Sequence, residues 1–318
     1  RGTNGFRIFY RRMVILLSVG FLHLMFLWSG DILMLYALLG MLLPLFRNVS
    51  NRMLLVSAFG LLAVPIAVDF TVELSGIYPS ASVVKLQQTY CDKYGITDEN
   101  FAYWLRDAKH YSGTFKFLVQ GALVRVQEFI DGNRYFKVLG LFLLGFYIGR
   151  NRLYADLESR RPVLRQIARY GFGFGLPLSL FYAWSIMNNC PQSLGAHSVL
   201  YFTSVFPLSF AYVASICLCF LRHPRWGIFR FFAMPGRMAL TNYIGQSLFG
   251  MLLFYGIGWG FGAETGLVYV ILIAIGVWIV QALFSNVWLH YCQFGPLEWI
   301  WRMLTYGRVF NLLKKKSV

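Results

Sequence analysis

The sequence predicts an all-α fold, a polytopic bundle of about eight transmembrane helices with both termini cytoplasmic and one long extracytoplasmic segment. Three observations predict it. Apolar residues make up 58% of the 318 and charged residues 13%, against about 25% charged in ordinary soluble domains. Mean hydropathy is +0.56. The apolar residues gather into runs near the roughly 20 needed to cross a bilayer, separated by segments rich in arginine.

In order, the runs are 13–29, 32–46, 53–73, 135–149, 168–187, 196–221, 238–259 and 266–290. The second and fourth are short, which fits tilted helices or helices that begin in the interface. Pro44, Pro65, Pro177 and Pro207 fall inside four of the runs. A bilayer tolerates such breaks when neighbouring polar groups satisfy the freed carbonyls.

Orientation follows from the basic residues. With the N-terminus in the cytoplasm and the eight helices alternating, every short inner segment carries arginine or lysine. The basic residues assigned outside all lie within 74–137, and most of the 13 acids fall outside too. Trp28, Trp184 and Trp259 then mark the outer boundary, and Trp226, Trp288, Trp299 and Trp301 the inner one. The chain divides along its length into helices within 1–74, an extracytoplasmic segment 75–134, a five-helix region 135–308 and a basic tail 309–318. Within the outer segment, Phe115–Ile130 is amphipathic at helical spacing and fits a helix on the membrane surface. The segment either captures substrate or caps the bundle.

The net charge of +16 does not read as nucleic-acid binding. The basic residues alternate with apolar runs instead of forming one stripe. The expected partners are membrane lipids, with the tail lysines 314–316 meeting anionic headgroups. The chain begins at Arg1 with no secretory signal, and reads as a processed or partial polypeptide. No metal is expected, because the five cysteines lack ligand spacing. Cys91 and Cys190, both on the outer side, are candidates to pair.

Ionisable groups inside apolar helices are costly and therefore functional candidates. His23 lies about ten residues into the first run. It is either a general base or a buried histidine bonded to a neighbouring helix. Asp31, in the Ser29-Gly30-Asp31 turn, caps the second helix, orients a base or binds a polar acceptor. Asp69 and Glu73, one turn apart near the outer end of the third run, are candidates for binding an acceptor, or are solvated at the boundary. On the inner side, Arg237, Asn242 and Gln246 open the seventh run, and Gln281, Ser285, Asn286 and His290 lie in the last. Glu298 and Arg302 follow, with Arg12 at the start of the first run. This set either joins helices or lines a cavity whose arginines suit phosphate.

Three stretches resemble the YeiB-like family of bacterial inner-membrane proteins. They are Gly20-Phe21-Leu22-His23 with Gly30-Asp31-Ile32-Leu33 and Tyr36-Ala37; Gly236-Arg237-Met238-Ala239-Leu240-Thr241-Asn242-Tyr243 with Gln246; and Gly295-Pro296-Leu297-Glu298-Trp299-Ile300-Trp301-Arg302. The resemblance runs from about residue 8 to 308 and is loose over 75–134. That family is distantly similar to transmembrane acyltransferases, including heparan-alpha-glucosaminide N-acetyltransferase and bacterial integral-membrane O-acyltransferases. The resemblance implies a cytosolic acyl-CoA donor and a glycan-like or other polar acceptor on the far side. Members open with a Leu-Asp-x-Leu-Arg-Gly motif and about two further helices that have no counterpart here. By analogy the catalytic Asn and His belong to that region, so the resemblance does not equate His23 with the acyltransferase histidine. A homo-oligomer or a membrane-protein partner would then supply the missing helices. Other functions compatible with the residues are transport of a polar or lipid-linked solute and a non-catalytic membrane subunit of a larger assembly.

Overall fold

The computed structural model describes residues 2–188 and 192–314. Among the described residues the structure is helical throughout, with no strand beyond an isolated antiparallel bridge between Cys292 and Leu313. The helices are α1 (Gly2–Phe26), α2 (Leu33–Gly40), α3 (Asn51–Ser75), α4 (Ala81–Tyr94), α5 (Phe101–Asp107), α6 (Tyr111–Asp131), α7 (Arg134–Arg150), α8 (Arg161–Met187), α9 (Leu194–Arg222), α10 (Gly227–Arg237), α11 (Ala239–Phe254), α12 (Leu267–Tyr291) and α13 (Pro296–Tyr306).

Among the described residues four segments are long and apolar enough to cross a membrane: Gly5–Phe26, Asn51–Ser75, Leu194–Arg222 and Leu267–Tyr291. Their burial pattern is that of helices solvated by lipid. Along α12 the buried residues are Gln281, Ala282, Ser285 and Leu289, while Leu267, Val268, Leu272, Leu283 and Val287 face outward. In α1, Leu22 is 55% exposed and its neighbour His23 is 1% exposed. Water would reverse that order, because exposed apolar surface on this scale is unfavourable in it. The chain is a helical membrane protein.

Two expected runs are interrupted. The run 32–46 forms only the eight residues of α2, followed by a separate 3-10 turn, Leu43–Phe46, that contains Pro44. A proline ring fixes φ and removes the N–H that would continue the helix. The run 238–259 begins after a break at Met238 (φ −115°, ψ 32°) and leaves the helix at Tyr255 (φ −88°, ψ 153°). Arg237 therefore ends α10 and does not open the same helix as Asn242. Pro235 precedes the break, and its carbonyl accepts from the Met238 N–H at 3.1 Å.

The chain forms two compact units interleaved in sequence. The first comprises Arg1–Met41, Ser80–Glu128 and Gly227–Val318. Its core joins α5, α6 and α11 through Leu105, Leu118, Met251 and Tyr255, with Leu27, Trp28 and Phe117 packed against them. The Trp28 and Tyr255 rings stack with centroids 5.5 Å apart. From α6, Leu118 is fully buried in this core and Phe117 packs against it.

The second unit comprises Leu42–Pro79 and Phe129–Trp226. There α8 packs on α9, and α3 packs on α7 and α9. Leu54, Ala58 and Leu143 form a core between α3 and α7. Glycines set the approach of α8 to α9. A Cβ on Gly171 would lie 2.5 Å from the Pro207 carbonyl oxygen, and one on Gly175 would lie 2.7 Å from the Leu208 nitrogen. Gly173 between them faces open space.

Cys91 is a buried free thiol whose pKa is raised by burial and, secondarily, by Asp92 and Asp98. Its candidate partner Cys190 lies outside the described residues.

These contacts predict that Gly171→Ala and Gly175→Ala each destabilise the protein by roughly 1–3 kcal/mol through overpacking. Gly173→Ala is neutral or slightly stabilising, since alanine favours helix. Thermal unfolding of the three detergent-solubilised variants checks the contrast, and equal Tm values would refute it.

Candidate functional site

The site in the first unit is built around His23. Gly20, one turn earlier on α1, lets the chain return close to the helix: a Cβ there would lie 2.5 Å from the Met34 nitrogen and 3.1 Å from Asp31 Oδ2. The end of α1 is held by α6. The Tyr111 hydroxyl donates to the Phe26 carbonyl at 2.7 Å, and Arg125 Nε donates to the Ser29 carbonyl at 3.2 Å. Such side chains satisfy carbonyls that a helix end leaves without partners. The turn that follows then brings Asp31 back under His23.

Asp31 makes contacts in two directions. Its Oδ2 accepts from the Met34 N–H at 2.8 Å, so it caps the start of α2. Its Oδ1 lies 2.9 Å from His23 Nδ1, and both side chains are 1% exposed. An ionised carboxylate only accepts. With the carboxylate ionised and the imidazole neutral, the pairing puts the ring proton on Nδ1 and leaves Nε2 as an acceptor. Ser247 Oγ lies 2.7 Å from Nε2, in the position of a donor.

Tyr243, one turn before Ser247 on α11, completes the cluster. Its hydroxyl donates to Asp31 Oδ1 at 3.4 Å and accepts from the Ile32 N–H at 3.1 Å. Its ring lies 5.0 Å from the imidazole. Neither Tyr243 nor Ser247 is among the sequence candidates, which took Asn242 and Gln246 as the functional face. That face is off by one position, or about 100° around the helix. Gln246 is exposed. Asn242 donates through Nδ2 to Ser285 Oγ at 3.0 Å and to the Pro235 carbonyl at 3.2 Å, while Gln281 Nε2 donates to the Asn242 carbonyl at 2.9 Å. These bonds join α11 to α10 and α12.

The remaining inner candidates converge elsewhere in the same unit. Arg12, Arg237, Glu298 and Arg302 line a cavity of about 330 Å³ with Trp301 and Phe294. The Arg12 guanidinium lies 4.3 Å from the Trp301 ring centroid and that of Arg302 lies 4.4 Å from Phe294. Arg237 Nη2 donates to the Gln293 carbonyl at 3.3 Å. Among the described residues none of these three arginines has a carboxylate partner. The one acid in the cavity is committed to the fold. Glu298 Oε1 accepts from the Thr241 N–H at 2.9 Å and Oε2 from its hydroxyl at 2.5 Å, at the start of α11. Two of these cations lie over aromatic rings and the third on a carbonyl, and guanidinium geometry suits phosphate.

A second cavity of about 630 Å³ lies at the other end of α11. Trp28, Phe101, Phe117, Phe254 and Tyr255 supply apolar walls, and Ser29, Gln120, Arg125 and Glu128 supply polar groups. One helix thus runs from Thr241, beside the arginine cavity, past Tyr243 and Ser247, to Phe254 at the second cavity.

Asp69 and Glu73 belong to the second unit. Asp69 is buried and accepts from Asn133 Nδ2 at 2.8 Å and from the Ser198 hydroxyl. It borders a cavity of about 170 Å³ with Tyr78 and Asp131. Glu73 is exposed, and its Oε2 accepts from the Gly195 N–H at 2.9 Å, in the first turn of α9. A carboxylate there also complements the helix dipole.

A family model described as "Protein of unknown function (DUF418)" matches residues 148–308. The chain is 28% identical over 327 residues to the uncharacterized protein YxaH of Bacillus subtilis (strain 168), covering 100% of this chain and 76% of that one. It is 27% identical over 329 residues to an uncharacterized 39.9 kDa protein in the amylase 3' region of Bacillus acidopullulyticus, covering 100% and 76%. It is 26% identical over 336 residues to the uncharacterized protein YeiB of Escherichia coli (strain K12), covering 99% and 80%. No solved structure matches the chain.

The hydrogen bonds around α11 predict opposite outcomes at its two polar neighbours. Asn242→Ala destabilises by about 1–3 kcal/mol, because it strips partners from Ser285 and the Pro235 carbonyl. Gln246→Ala stays within about 0.5 kcal/mol of the parent. Comparing thermal unfolding of the two variants checks this, and a larger loss for Gln246→Ala would contradict it.

Proposed function

The chain belongs to the DUF418 family, with YeiB-like relatives, and from the geometry around His23 we propose that it is a multi-pass acyltransferase of the bacterial inner membrane. In this proposal it moves an acyl group from cytosolic acyl-CoA to a polar, glycan-like acceptor on the extracytoplasmic side. The observation that carries it is the buried His23 imidazole, with Asp31 on Nδ1 and a hydroxyl on Nε2. That arrangement is a general base with its orienting carboxylate, directed at a hydroxyl.

The orientation comes from the basic residues, with the arginine cavity facing the cytoplasm. Arg12, Arg237 and Arg302 hold the phosphates of the donor, whose unpartnered cationic lining fits them. The cavity is at the small end of the roughly 300–1,000 Å³ found for ligand sites, so it holds the phosphate-bearing part of the molecule. When bound, acyl-CoA supplies an activated thioester. His23 Nε2 takes the proton from the attacking hydroxyl. Asp31 stabilises the imidazolium that results and keeps the ring in the productive tautomer. Burial excludes water, which strengthens both interactions. The second cavity offers the acceptor aromatic walls with a few placed polar groups, the usual composition of a small-molecule site. Glu298 positions α11 through Thr241 and does not bind the donor. Asp69 and Glu73 organise the second unit.

Purified protein tests the proposal through two separable readouts. Calorimetric titration with CoA gives a binding isotherm for the wild type. Arg12→Ala or Arg302→Ala weakens it about tenfold, the loss of one charge-assisted contact. His23→Ala binds CoA like the wild type but lowers thiol release from acetyl-CoA by about 10²- to 10⁴-fold. A wild type that neither binds CoA nor releases thiol would refute the proposal.

A further inference from the structure

A hydroxyl inside a helix ordinarily donates to the carbonyl one turn back. Several hydroxyls in the apolar helices do so. Thr71 reaches Ala67 O at 2.8 Å, Thr203 reaches Val199 O at 2.8 Å, and Ser209 reaches Val205 O at 2.7 Å. Ser247 makes the same contact, but a longer one. Its distance to Tyr243 O is 3.5 Å, while its distance to His23 Nε2 is 2.7 Å. With Asp31 accepting at Nδ1, the shorter contact offers the Ser247 proton to Nε2.

Position adds a second argument. The arginine cavity and the aromatic cavity are separate, and both border α11 or its contacts. At 1.5 Å rise per residue, Thr241 and Tyr255 lie about 21 Å apart along the helix. Ser247 stands about 9 Å from the first, near the middle. It is also 8% exposed, so an ester formed there is shielded from water.

We propose that Ser247 is the nucleophile of a Ser247–His23–Asp31 relay and carries the acyl group as an ester between the two cavities; this rests on the acyltransferase function proposed above. In the first half-reaction, Oγ forms a bond to the acyl carbon as the carbon–sulfur bond breaks. The hydroxyl proton passes to His23 Nε2 and then to the leaving thiolate. In the second, an acceptor hydroxyl gives its proton to Nε2 and attacks the ester carbon. The Oγ–carbon bond breaks and Oγ regains the proton. No oxidant or metal enters the balance.

A fluorophosphonate–biotin probe tests nucleophilicity without any acyl donor. It is applied to detergent-purified wild type, Ser247→Ala, Ser247→Cys and His23→Ala, each confirmed as a single peak in size-exclusion chromatography. Peptide mass spectrometry maps the adduct, and release of thiol from acetyl-CoA is followed in parallel. The relay predicts wild-type labelling on Ser247, none in Ser247→Ala, and labelling at least about 100-fold slower in His23→Ala. Ser247→Cys, which keeps the shape, alkylates with iodoacetamide faster than it does when combined with His23→Ala. Acetyl-CoA alone leaves an acetyl mass on the Ser247 peptide. Ser247 labelling with no thiol release would keep the nucleophile and sink the acyl-CoA donor. Unlabelled wild type, with thiol release that survives in Ser247→Ala and is lost in His23→Ala, would overturn the relay and leave His23 as a base acting directly on the acceptor.

Discussion

The structure of the first unit depends on keeping both ring nitrogens of His23 satisfied where no water is available to do it. An unpaired polar group costs more in the interior of a membrane protein than in water, and His23 is 1% exposed. Meeting that constraint fixes three elements at once. Gly20 admits the returning chain, the turn through Asp31 supplies one partner, and α11 must present Ser247 to the other face of the ring. Tyr243 ties the turn and α11 together through Asp31 Oδ1 and the Ile32 N–H. Removing any one contact leaves a buried polar group without its partner, so the cluster is cooperative in the sense that its members require one another.

The same constraint explains why the polar residues of this chain sort into distinct kinds of work. Asn242 bonds Ser285 through its side-chain amide and Gln281 Nε2 through its backbone carbonyl, between helices, while Gln281 Oε1 is left without a partner among the described residues. Glu298 is consumed by Thr241, and Asp69 by Asn133 and Ser198. These are internal pairs, and internal pairing is what a lipid-solvated bundle demands. Arg12, Arg237 and Arg302 differ, because aromatic faces and a carbonyl hold them and, among the described residues, no acid forms an ion pair with them. Uncompensated charge at a cavity is what a binding site retains and a structural contact does not.

Much of the fold was legible in the residues. Apolar runs mark the long helices because each side chain facing lipid must itself be apolar, and His23 and Asp31 stand out because they break that rule. What was not legible depends on rotation and termination. Pro44 and the break at Met238 shorten two expected runs by local backbone chemistry that hydropathy does not register. The expected face of Asn242 and Gln246 lies one position away from Tyr243 and Ser247, the residues that meet His23 and Asp31. Ser247 carries no charge, so cost of burial could not flag it. The signal that would have found it was the four-residue spacing from Tyr243, an aromatic hydroxyl within the same short motif. Asp69 and Glu73 share a helix face as expected, yet one is buried and the other exposed, because packing against Asn133 and Ser198 decides that and sequence spacing does not.

The account turns on the tautomer that Asp31 imposes on His23. Nitrogen-15 NMR of histidine-labelled protein in bilayers reads it directly, and comparison with His23→Gln identifies its signals among the five histidines. The predicted result is a proton on Nδ1 and a bare, hydrogen-bonded Nε2 in the wild type, with the Nδ1–H state lost or mixed in Asp31→Asn. A wild-type His23 that carries its proton on Nε2 would contradict the account, since Ser247 or any acceptor hydroxyl would then face a donor and not a base.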